Sequence, residues 1–131
     1  MTNFRTWSKR RLHEVVHRMN EEHESMDRSV IVKGDFLLST FEENTVFPNI
    51  AFIDGWELSF YWVAQGNVMS IILEEDQYYV SYKFADESFT HLDGYFEDFP
   101  FEEVHTYMNR FTQIVNALNP TWSRFYEELP A

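Results

Sequence analysis

Near the N-terminus, His13-Glu14-Val15-Val16-His17 places two imidazoles four positions apart with a carboxylate between them. Residues i and i+4 share a helix face, so both rings can reach one tetrahedral Zn²⁺. A glutamate beside the first ligand can polarise a metal-bound water as general base. His23 offers a third ligand ten residues after the first, provided that the chain leaves the helix near Asn20. Asparagine tolerates the left-handed backbone that such an exit needs. The chemistry implied is metal-assisted hydrolysis, with Zn²⁺ as cofactor, Glu14 as base and His13, His17 and His23 as ligands.

This spacing is similar to the three-ligand motif of the metzincin metalloproteases, with Asn20 where that family has glycine. The resemblance covers 11 of the 131 residues and implies a zinc-dependent hydrolase. In the family, the motif helix follows a sheet whose edge strand binds substrate, and a methionine turn lies below the metal. Here twelve residues precede His13, and Met69, within Asn67-Val68-Met69-Ser70, falls in an expected strand. In an unbroken helix, His13 and His17 sit on the flank of the wheel while His23 joins the apolar stripe. The histidines are therefore read first as surface or half-buried side chains, with the zinc hydrolase as the alternative.

Other constellations are sparser. His91 with Asp93, and His105 with Glu102, have ordinary surface spacings. The glycines, Gly34, Gly55, Gly66 and Gly94, stand isolated in expected turns, so no glycine-rich phosphate loop is present. The absence of cysteine excludes a disulfide framework, thiolate catalysis and a thiolate metal site.

Charge carries more information. The chain has 22 acidic and 10 basic residues, a formal net charge of -12, which argues against nucleic acid as the main partner. Residues 1–33 hold seven basic groups, including the Arg5–Arg11 cluster, against five acidic ones. The remainder holds only Lys83, Arg110 and Arg124 against 17 acids. Self-repulsion of that order lowers stability but keeps a protein soluble, and the same negative surface can attract a basic partner. No apolar run is long enough for a secretory signal or a membrane span, and cytoplasmic residence is the expectation.

The elements that must position these groups follow from periodicity. Leu12, Val15, Val16, Met19, His23 and Met26 predict an amphipathic helix over 8–26, capped by Thr6 or Ser8. Val30-Ile31-Val32 and Phe36-Leu37-Leu38 read as short strands around a Lys33-Gly34-Asp35 turn. Trp56, Leu58, Phe60 and Trp62 alternate with polar or exposed positions, the pattern of a strand with one buried face. Ala64-Gln65-Gly66-Asn67 leads into the run Val68–Leu73, and Glu74-Glu75-Asp76-Gln77 into Tyr78, Val80, Tyr82 and Phe84. Short connections of this kind join antiparallel neighbours, so these runs form a meander. Phe89–Leu92 and Tyr95–Phe96, on either side of Asp93-Gly94, are candidate extensions of the sheet.

Phe101, Val104, Met108, Phe111, Val115 and Leu118 form one helical stripe, with Asp98 as cap, Pro100 in the first turn and Asn119-Pro120 ending it. Trp122, Phe125, Tyr126 and Leu129 are expected to pack back onto the body. The expected fold is a single α+β domain over 1–131. It comprises an N-terminal helix, an antiparallel meander of three to five strands, and a C-terminal helix on one face of the sheet.

The stretch Pro48-Asn49-Ile50, Asp54 to Trp62, Met69–Leu73 and Tyr78-Tyr79-Val80 resembles small uncharacterised bacterial and phage proteins encoded beside toxin or defence genes. In size and acidity the chain also resembles immunity proteins and other inhibitors of basic enzymes. Both resemblances imply a non-enzymatic binding protein: an immunity, antitoxin-like or anti-defence factor with a basic protein partner. The acidic segments Glu74-Glu75-Asp76, Asp86-Glu87, Glu97-Asp98 and Glu102-Glu103 are the expected contact residues, speeding encounter while exposed aromatics anchor the complex. A self-associating structural protein is the third possibility.

Overall fold

Phe4, Ser8, Leu12, Val15 and Met19 fall three or four residues apart and are all buried, which makes one side of a helix the wall of a core. They belong to α1 (Phe4–Glu21) in a computed structural model that describes residues 4–21, 28–53, 57–85 and 87–118. The helix begins earlier than its expected caps, so Thr6 and Ser8 lie inside it. Burial of Phe4 edge-on to Phe41, at 5.6 Å, fixes the start, and the Phe4 N–H donates to the Glu43 carbonyl at 3.1 Å.

Residues expected as two strands and a turn form a second helix, α2 (Arg28–Thr40). Its buried positions are Val30, Gly34, Leu37 and Leu38, a helical stripe in which glycine occupies a core site. A Cβ on Gly34 would lie 2.4 Å from Leu58 Cδ2 and 3.3 Å from the Phe60 ring. The glycine is there so that the helix can lie close against the sheet, which overrides the β-branched preference of Val30-Ile31-Val32.

Five strands follow: β1 (Asn49–Ile53), β2 (Glu57–Ala64), β3 (Asn67–Leu73), β4 (Gln77–Lys83) and β5 (Thr90–Tyr95). They pair antiparallel in the order β1-β2-β3-β4-β5, so the meander is shown and β1 is added to it. Alternation sets the register: Ile50, Phe60, Ile71, Val80 and Leu92 stand opposite one another across all five strands. β5 runs straight through Asp93-Gly94, which is not a turn. A Cβ on Gly94 would touch the Tyr78 ring at 3.3 Å, so the residue that suggests a bend is needed to admit a neighbouring ring. Between β2 and β3, Gln65 and Gly66 both have positive φ, 47° and 85°, the pattern of a type I′ hairpin turn.

A 3₁₀ turn (Phe96–Asp98) leads into α3 (Phe101–Leu118). Asp98 belongs to that turn and is not the helix cap. The Pro100 carbonyl accepts the Val104 N–H at 3.0 Å. Val104, Met108, Phe111, Thr112 and Val115 face inward. The three helices share one core with Leu58, Phe60, Trp62, Met69, Ile71, Val80 and Tyr82 of the sheet. The result is a single α+β domain with N-terminal helices, a five-stranded antiparallel sheet and a C-terminal helix on the sheet. Trp56 and the segment from Asn119, including Trp122, Phe125, Tyr126 and Leu129, lie outside the described residues.

Candidate functional site

His13 and His17 occupy the exposed side of α1, away from the Leu12, Val15 and Met19 stripe. Glu14 is engaged by two arginines: Arg11 Nη1 lies 3.2 Å and Arg10 Nε 4.0 Å from its carboxylate oxygens. His23 lies outside the described residues, among which no three His, Asp or Glu side chains are grouped as metal ligands. The N-terminal basic cluster is partnered as well, with Arg5 3.7 Å from Glu43 and Lys9 3.6 Å from Asp35.

Strand direction decides where the acidic segments go. The start of β2, the β3–β4 turn, the end of β5, the 3₁₀ turn and the start of α3 all fall at one end of the sheet. Glu74, Glu75, Asp76, Glu97, Asp98, Glu102 and Glu103 therefore share that end, joined by Glu57 and Asp93, which the sequence reading did not select. The Phe96 N–H donates to the Asp76 carbonyl at 2.7 Å, joining the β3–β4 turn to the 3₁₀ turn. Among the described residues, none of these nine carboxylates forms an ion pair with a lysine or arginine. Asp93 lies 3.7 Å from His91 Nε2.

Titration behaviour reflects the crowding. Partial desolvation, the Glu57 carboxylate beside it and Asp76 raise Glu74 above the usual carboxylate value. Glu74, desolvation, Asp93 and Glu57 raise the Tyr79 hydroxyl, and burial followed by Asp93, Asp98 and Glu103 raises Tyr78. These tyrosines register a negative field that spans several segments.

Glu87 does not join the cluster. It lies near the opposite end of the sheet and is ion-paired to Arg110, which also stacks its guanidinium 4.2 Å from the Phe84 ring. Asp86 lies outside the described residues. Of the two histidine pairs, His91 Nδ1 contacts Ser81 Oγ at 3.2 Å. His105 pairs with Thr40 Oγ1 at 2.9 Å and not with Glu102.

Beside the acidic end lies a groove of about 480 Å³ lined by Lys33, Asp76, Tyr95, Phe96 and Glu97. Lys33 holds its ammonium 5.4 Å from the Phe96 ring. Sequence reasoning missed the exposed pair Val32 and Phe36 on α2, of which Phe36 reaches the groove through Phe101 and Phe96, because a strand reading of α2 gave them no common face. Their i, i+4 spacing is the signal that would have found them. Compared with known proteins, the chain matches no family model, no curated protein and no solved structure.

Proposed function

We propose that this protein is a non-enzymatic binding protein, an inhibitor of the immunity or antitoxin type, whose acidic end engages a basic partner protein. The observation that carries this reading is the gathering of carboxylates from five separate segments at one end of the sheet, without a lysine or arginine ion-pair partner among the described residues. Folding concentrates charge there although like charges repel, and burial, followed by the Glu57 and Asp76 carboxylates, raises Glu74 above its ordinary value. A field of this kind accelerates encounter with a cationic surface, and neighbouring aromatics supply the short-range contacts. Among the described residues no helix is long and apolar enough to cross a membrane. A cytoplasmic setting is part of the proposal and rests on the sequence. The test is a pull-down at low and at high salt. Basic proteins enriched at low salt and released at high salt are the expected result; no enrichment of basic proteins at low salt would contradict the reading.

A further inference from the structure

Two large apolar side chains on α2 point away from the core although helix packing buries their neighbours. Val32 is 67% and Phe36 is 54% exposed, and they stand one turn apart. Scattered exposed apolar residues are ordinary, but Phe36 leads into a connected surface. The Phe36 ring meets Phe101 edge-on at 5.8 Å, Phe101 meets Phe96 at 6.3 Å, and Phe96 lines the groove together with Tyr95, itself 56% exposed. Asp76 and Glu97 line the same groove, and Glu102 follows Phe101 directly. Among the described residues Lys33 is the one cation lining it, and its ammonium is held over the Phe96 ring.

We infer that this aromatic groove between α2 and the 3₁₀ turn seats an apolar anchor residue carried by a basic segment of the partner, flanked by lysines or arginines that meet Asp76, Glu97 and Glu102. The inference rests on the acidic-end reading above and adds where the partner docks and what kind of segment it presents. Charge complementarity selects the occupant. A second copy of this chain would bring the same carboxylates against one another, and an anionic lipid surface would be repelled in the same way. Burial of one aromatic or aliphatic anchor in such a groove supplies the part of the affinity that salt does not screen.

The experiment uses the whole chain and two labelled lysine-rich peptides of equal length and charge. One carries leucine and phenylalanine a helical turn apart; the other has serine at both places. Fluorescence anisotropy is read at low and high salt for the native chain and for Val32→Ser and Phe36→Ser, substitutions at exposed positions that leave the core intact. The expected result is binding of the apolar peptide about tenfold or more tighter than the serine peptide. That difference should persist at high salt and be abolished by Phe36→Ser. Equal binding of both peptides, unchanged by either substitution, overturns the groove while leaving the acidic end standing. Binding of neither peptide at low salt overturns both. A dimer detected by light scattering and dispersed by Phe36→Ser also overturns the inference, because the occupant would then be a second copy.

Discussion

At the scale of single residues, Gly34 and His105 carry the sharpest consequences. With Leu58 and Phe60 against the Gly34 backbone, a methyl group there must displace the Leu58 side chain or move α2 away from the sheet. Gly34→Ala is therefore expected to lower stability by about 1–3 kcal/mol, although alanine is the better helix former. Urea unfolding checks this, and a gain in stability would show that α2 is not seated so closely. His105 is half-buried between α2 and α3, where desolvation holds its pKa below the ordinary 6.5 while Glu42 draws it upward. The unfolded chain thus takes up that proton first. The stabilising contribution is complete above about pH 6.5 and is lost as pH falls through the depressed folded value. His105→Gln, which can keep a hydrogen bond to Thr40, should flatten the fall in the urea midpoint between about pH 7.5 and 5.5. An unchanged slope would assign the acid sensitivity to other groups.

At the scale of elements, the segment between α2 and β1 is held by three others. The Trp62 indole N–H donates to the Val46 carbonyl at 2.8 Å, the Val46 N–H donates to Thr112 Oγ1 at 3.2 Å, and Trp7 stacks on Phe47 at 4.8 Å. Trp62→Phe keeps an aromatic ring but leaves the Val46 carbonyl without that donor and opens space around a fully buried site. The expected loss is about 2–3 kcal/mol by thermal or urea unfolding, and a loss near zero would mean that this clasp is dispensable. These elements also show what periodicity can reveal. β2, β4 and α3 were legible because each keeps one period for at least six residues, and β3 because its short apolar run is bounded by turn residues. α2 was not, since its stripe includes a glycine that an apolar count passes over and its first turn is β-branched. β5 was read as interrupted because Asp93-Gly94 has turn composition, while the need for glycine arises from Tyr78 on the neighbouring strand. The acidic residue types of the candidate site were plain in the sequence. Their convergence was not, because it depends on strand direction, which also sends Glu87 to the far end.

At the scale of the whole molecule, function and stability draw on the same charges. Glu74 has a folded pKa above its unfolded value, so its contribution is present below about pH 4.5 and is lost as pH rises through the folded value. At neutral pH the ionised Glu74 therefore costs stability. Glu74→Gln is expected to raise the melting temperature at pH 7 while weakening capture of basic proteins; a lower melting temperature would refute the repulsion. The most direct measurement compares two triple variants of equal net charge in capture of basic proteins at low salt. One is Glu74→Gln, Glu75→Gln, Asp76→Asn at the acidic end, and the other is Glu42→Gln, Glu43→Gln, Glu87→Gln away from it. The first should lose most of the capture and the second should retain it. Equal loss by both would show that total charge, and not its gathering at one end of the sheet, governs what this protein binds, and equal retention by both would show that Glu74, Glu75 and Asp76 do not carry the binding.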